Sequence, residues 1–385
     1  MIQTNNPLLE FAEPGRSGAV GTDPTRSLPR FSDIRPEHVQ PALEALLADN
    51  RAQREQLLSR GSRYTWDNLA QPLEDMSERL SRMWSPVSHL NSVMNNEALR
   101  EVYNECLPKL SEYFTELAQD ERIYTAYKEI KASPAYRGLS AAQKKIIDNT
   151  LRDFRLAGAE LPAAKKARFK DVQMELSQLQ SKYSENVLDA TQAWDLMVIE
   201  EARLSGLPET ARALAQQSAQ SVGKPGWRFT LEFPSYLAIM TYADQRELRR
   251  QMYEAFVTRA SDQGPHAGRW DNGPLMVQIC KLRQEAAELL GFAHYAEYAL
   301  QTRMAKTVPE VMDFLDLLAA RSRPAARHDL EQLRRFAKEA HGVAELAPWD
   351  LAYYGEKLRQ ARYDISQEQV RPYLPDTRVL AGLFQ

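Results

Sequence analysis

Six histidines come first in a search for chemistry, because a metal-dependent hydrolase needs two or three of them converging on one ion. They are His38, His89, His266, His294, His328 and His341. No two are spaced H-x-x-x-H, and none follows a glutamate by three positions, so neither a helical zinc pair nor the Glu-x-x-His unit of bundle di-metal sites is present. His328 and Glu331 share a helical face, a spacing that reads as a solvated surface contact. No G-x-S-x-G elbow, phosphate-binding G-x-x-x-x-G-K-[ST] or G-x-G-x-x-G is found. The S-V-G-K at 221–224 fits a serine–lysine motif in letters only, since it sits in a Gly/Pro loop. Lys281 adjoins Cys280, but neighbours on a helix point apart and give little support for a reactive thiolate. No catalytic residue and no metal ligand can therefore be assigned.

Two stretches do carry polar and aromatic groups in a suggestive pattern. In TRASDQGPHAGRWDNGP (258–274) the interior holds Asp262, Gln263, Gly264, Gly268, Arg269, Trp270 and Asp271. It reads either as a substrate-facing loop or as a connector whose Asp, Asn and Trp tie down two helices; helix-end Asp and Asn favour the connector. In PWDLAYYGEK (348–357), Asp350, Tyr353 and Tyr354 share one helix face at i, i+3 and i+4. Phenols around a carboxylate could line a peptide channel, or be core residues with satisfied hydroxyls, the reading favoured by a small margin. Trp270, Asp350, Tyr353 and Tyr354 are the candidate channel residues.

The elements that would position them are nearly all helical. Trp66, Leu69, Leu73, Met76, Leu80, Met83, Val87 and Leu90 advance in steps of 3 and 4, one buried seam that Pro86 should kink near its end. Leu99, Val102, Cys106, Leu110, Tyr113 and Leu117 repeat the pattern after a break at Asn95 and Asn96. A third helix runs from Ser140 to Gly158, and a fourth from about Pro162 carries Phe169, Val172, Leu176, Leu179 and Tyr183. Only AWDLMVI (193–199) and GWRFTLEFP (226–234) have the β-branched and aromatic content of strands, and they could pair as one small ribbon around a helical PETARALAQQSAQ. Helices resume at about 244–260, 274–290, 309–340 and 349–362, with Pro324 expected to bend or split the third. The fold class is mainly α: a helical lobe with one small β-ribbon, followed by further helices. The expected organisation is a mobile tail over 1–30, an N-terminal helical lobe over 31–234 and a second region over 235–385, with a boundary near Pro234.

Composition narrows the class. The 385 residues are 43% hydrophobic and 26% charged, with a net charge of −3, so nothing marks a nucleic-acid or anionic-membrane partner. No apolar run approaches the roughly 18 residues that cross a bilayer, and MIQTNNPLLEFAEPG lacks a secretory pattern. Cys106 and Cys280 read as buried free thiols in a reducing compartment, and the chain as a cytoplasmic protein. Near its end, Asp376 is placed to cap a helix with Val379, Leu380, Leu383 and Phe384 at helical spacing, which suggests that the sequence stops as a helix begins.

These motifs together carry a resemblance. YTWDNLAQPL, SPVSHLNSV, AQKKIIDNTLRDF, YSENVLDAT, PSYLAIMTYAD, TRASDQGPHAGRWDN, LLGFAHYAEYAL and PWDLAYYGEK stand in the order of the N-terminal part of the thimet oligopeptidase and neurolysin family of zinc peptidases, from about residue 31 onward. SDQGP and the PWD helix start are the most specific, whereas EPGRSGAVGTDPTRS departs from the compact start of the family. The resemblance implies a two-lobed helical body around a deep channel for short peptides. Zinc would be held there by an H-E-x-x-H helix and a later Glu, with a Tyr or His beyond to stabilise the oxyanion. It also implies that 235–385 begins a zincin-type catalytic lobe, truncated before the zinc motif. The chain is then expected to bind no catalytic zinc, to be inactive alone, and to have the missing C-terminal catalytic half as its packing partner. The competing readings are a non-catalytic peptide- or partner-binding helical protein derived from that family, and a helical scaffold.

Overall fold

The computed structural model describes residues 6–13, 28–59, 61 and 63–383. The chain divides into two compact units, the first comprising Met1–Lys182 and Val277–Met304 and the second Tyr183–Met276 and Ala305–Gln385. Pro234 lies inside the second.

In the first unit, α1 (Pro7–Ala12), α2 (Pro36–Leu58), α3 (Gln71–Val93) and α4 (Glu97–Ala118) close around one apolar cluster. Val39, Ala42, Leu43, Leu46 and Leu47 of α2 meet Leu80, Met83 and Val87 of α3 and Leu99, Cys106, Leu110 and Tyr113 of α4. Both seams seen in the sequence are therefore core. The first begins on a π-helical turn, Trp66–Ala70, capped by the Thr65 side chain, and α3 continues through Pro86. Asn96 caps α4 by accepting from the Leu99 N–H at 2.9 Å.

Within the tail expected over 1–30, residues 6–13 need correcting, while 1–5 and 14–27 lie outside the described residues. The Asn6 side chain caps α1, Leu8 and Ala12 enter the core, and Arg82 donates to the Phe11 carbonyl at 3.0 Å with its guanidinium over the Phe11 ring. Burial of Leu8 supplies what six residues of helix propensity cannot.

A second cluster joins α5 (Glu121–Ala132) to α6 (Ala141–Leu156) through Ile123, Tyr127, Ile130, Ile147, Leu151 and Phe154. Ser140 and Gln143 form the capping box of α6, which closes at Gly158 with φ +86°. A third cluster sets Phe169, Val172 and Leu176 of α7 (Ala163–Gln192) against Ile279, Leu282 and Ala286 on the helix Gly273–Leu289. Cys280 lies off that apolar stripe and is exposed, contrary to the expectation that both thiols are buried; Cys106 is buried and its thiol is pushed up to about 11 by desolvation.

In the second unit the two expected strands pair antiparallel. They are β1 (Asp195–Val198) and β2 (Trp227–Thr230), with Leu196 opposite Phe229 and Val198 opposite Trp227. Arg228 donates to Asp195 across the ribbon at 2.7 Å. Gly226 has φ +89°, and a Cβ there would stand 2.4 Å from the Val198 carbonyl oxygen, so the entry to β2 requires glycine. The ribbon packs on α8 (Glu209–Ser221), α9 (Phe233–Tyr242) and α10 (Arg246–Val257) through Phe229, Leu231, Ile239, Met240, Leu248 and Met252. The strand expected to reach 234 ends earlier, because α9 opens at Phe233 with Pro234 in its first turn, where the missing N–H costs nothing.

The helix Gly273–Leu289 is α11, followed by α12 (Tyr295–Leu300) and α13 (Val308–His341), which runs unbroken through Pro324. Then come α14 (Leu351–Tyr363), α15 (Gln367–Val370) and α16 (Asp376–Leu383). The helix start expected at Asp376 is present. Phe314, Leu317, Leu318, Val379, Leu380 and Leu383 are all exposed, while Phe384 lies outside the described residues.

Candidate functional site

The PWD turn is the most heavily bonded polar centre described in the second unit. Pro348–Asp350 form one 3-10 turn, and Asp350 accepts the Ala347 N–H at 2.9 Å. Its side chain is fully buried. Two arginines of α10 meet it: Arg249 Nη2 at 2.8 Å from Oδ1 and Arg246 Nη2 at 2.6 Å from Oδ2. Burial alone would push the Asp350 carboxyl up, but the hydrogen bonds from Arg246, Arg249 and Ala347 outweigh it and hold the group below the usual range.

Arg249 is 1% exposed. It sits on the buried face of α10 with Leu248, Met252 and Ala255. Its remaining donors reach the carbonyls of Ala243 at 2.6 Å, Asp244 at 3.2 Å and Trp349 at 3.2 Å, and its guanidinium lies 4.1 Å from the Tyr353 ring centroid. A buried guanidinium is tolerated because every direction it faces holds an acceptor or a π-face. The Tyr353 hydroxyl donates to Asp244 at 2.8 Å, and Asp244 also accepts from Ser205 at 2.6 Å. Burial and the Asp244 contact push the Tyr353 phenol above its ordinary value. Tyr354 packs edge-on to Tyr353 and against His341.

Asp350, Tyr353 and Tyr354 thus share one face and one neighbourhood, with the carboxylate committed to two guanidinium groups. Trp270 belongs to a separate cluster. Arg269 lies over its ring at 4.2 Å and His266 meets it edge-on. The loop around it is tied down at Asn272, which is buried, donates to the Tyr183 carbonyl at 3.1 Å and accepts from Asn186 at 2.9 Å. Asp271 accepts the Gly273 N–H at 2.8 Å at the start of α11. At Gly264, φ is +82° and a Cβ would fall 1.9 Å from Thr258 Oγ1, which accounts for the glycine of SDQGP. Arg246, Arg249, Asp244 and Ser205 were not singled out from the sequence. The available signal was an arginine at an apolar position of the α10 seam.

Among the described residues no three His, Cys, Asp or Glu side chains converge as metal ligands would. Asp350 is occupied by arginines, and His341 meets Phe336 edge-on and Tyr354 at a tilt. The described residues around Asp350 and His341 do not fit a zinc site.

A helical body with one ribbon and a PWD turn locked by two arginines can be set beside known proteins. Residues 239–385 match Peptidase family M3, and residues 43–166 match Neurolysin/Thimet oligopeptidase, N-terminal domain. Oligopeptidase A of Salmonella typhimurium is 50% identical over 359 residues, covering 93% of this chain and 53% of that protein. Oligopeptidase A of Escherichia coli is 50% identical over 358 residues, again 93% and 53%. The probable cytosolic oligopeptidase A of Arabidopsis thaliana is 36% identical over 366 residues, 92% and 51%. The chain belongs to peptidase family M3, of the oligopeptidase A type, and corresponds to its N-terminal portion. It spans about half the length of the curated relatives it matches.

Proposed function

We propose that this chain is the non-catalytic front portion of a zinc metalloendopeptidase that hydrolyses short peptides in the cytoplasm. The observation that carries the reading is identity to oligopeptidase A at half of all positions over 93% of the chain. In this reading the M3 match over 239–385 marks where the catalytic part of the family's sequence begins. Zinc belongs to the full-length relatives, where it activates water for peptide hydrolysis; the chain alone holds none and cleaves nothing. The Asp350–Arg249–Tyr353 cluster positions α14, and the loop carrying Trp270 is the part that meets peptide. A cytoplasmic location agrees with the cytosolic plant relative, and no described helix is long and apolar enough to cross a membrane.

The partner in this reading is the rest of the family's length. From Met312 to Leu318 the apolar side chains of α13 cover most of its circumference, and Met312, Phe314, Leu315, Leu317 and Leu318 are each about half exposed. A helix apolar on most of its circumference is normally buried.

The experiment is a fusion of the Escherichia coli relative's remaining C-terminal part to the end of this chain. The fusion is expected to cleave a quenched fluorescent peptide and to lose activity with chelator, while the added part alone does not cleave. A folded fusion carrying one equivalent of zinc that leaves the peptide intact would contradict the proposal.

A further inference from the structure

Beyond α14 the chain crosses a groove of about 850 Å³ within the second unit, between α8 and α9. Its walls include Leu214, Phe229 and Leu237 on one side and Val370 and Leu374 on the other. Three observations bear on what it does. The chain turns at Asp364, a non-glycine residue with φ +49° that ends α14 in the left-handed conformation at the exposed surface. No described side chain from Asp364 to Leu374 is buried. The crossing segment is attached at Thr210, whose hydroxyl donates to Glu368 at 3.0 Å and accepts from Arg371 at 3.3 Å, all at the exposed surface.

We propose that residues 364–374 form a strap that swings about Asp364 and closes this groove. Closure seats Val370 and Leu374 against Leu214 and Leu237, with Thr210 as the latch. Leu214, Leu237, Val370 and Leu374 line the same groove and are all exposed, so its closure removes apolar surface on both walls from water. Exposed polar contacts contribute little by themselves, which suits a latch that must release. The occupant of the groove is the strap's own pair of apolar side chains.

Thiol footprinting tests this on the full chain carrying Cys280→Ser. The remaining Cys106 is buried with a raised pKa, so it reacts slowly with N-ethylmaleimide. The reporter is the thiol introduced by Leu237→Cys, and the control is that introduced by Ala255→Cys on the buried face of α10. With the strap intact, the reporter should react about tenfold more slowly than when Val370→Ser and Leu374→Ser are added, as expected for a local opening equilibrium. Thr210→Val, a change at the exposed latch, should give an intermediate rate. The control thiol should react equally in every background. Equal reporter rates with and without the strap's apolar side chains would overturn the proposal. So would parallel acceleration of the control, which would mean general loosening, or protection that grows with protein concentration, which would place a second copy in the groove.

Discussion

Asp350→Ala should destabilise the second unit by about 3–5 kcal/mol, because it leaves Arg249 buried without its counter-charge. Arg249 is 1% exposed, and its carboxylate partner is Asp350 at 2.8 Å. Amide exchange of α10 and α14 under mild denaturant reads the change directly. Replacing the pair together, Arg249→Met with Asp350→Leu, should recover most of the loss, since a buried ion pair is expensive to break but not to replace. A loss below about 1 kcal/mol for Asp350→Ala would show that the network is incidental. The pH dependence has a definite sign. The Asp350 carboxyl is held below its ordinary value, so its contribution is complete above the unfolded-state pKa of about 4 and is lost as pH falls through the lower folded value. The Asp350→Ala protein should lack that part of the acid-side decline.

The second large effect concerns α13. Residues 312–329 are exposed throughout, and α13 meets apolar neighbours further along, at Leu333 and Ala337. An isolated helix of that length is marginal in water. In dilute solution its amides should exchange about a thousandfold or more faster than those of α3 and α4, whose seams enter a closed core. Amides of α16 should behave like those of α13, as Val379, Leu380 and Leu383 are exposed there too. Raising the protein concentration should slow exchange in both if they self-associate through these faces. Equal protection in 312–329 and in α3 of a dilute monomer would contradict the account of α13 as an uncovered packing surface.

What could be read in advance followed from periodicity and end chemistry. The seams of α3 and α4 repeat their apolar residues over five or more turns, and Ser140 with Gly158 marks both ends of α6. The ribbon was visible because aromatic and β-branched residues cluster only twice. Shorter elements were missed. Helix α5 has Asp120 as its cap and Ile123, Tyr127 and Ile130 on its buried face, a signal only three turns long. Helix α9 begins at Phe233 with a proline at its first turn, yet its apolar run prolonged the strand reading. The face shared by Asp350, Tyr353 and Tyr354 follows from helical spacing. Their partners do not, because Arg246 and Arg249 lie about a hundred residues earlier and only packing brings them together. For the same reason nothing in the spacing separated Trp270 from that cluster.

The central claim is that this chain contributes structure and peptide contacts to an M3 peptidase but no metal chemistry of its own. Equilibrium dialysis of the purified chain against zinc, followed by a quenched-peptide assay, tests it most directly. The account predicts less than stoichiometric zinc and no turnover above buffer. One tightly bound equivalent of zinc together with chelator-sensitive cleavage would contradict it.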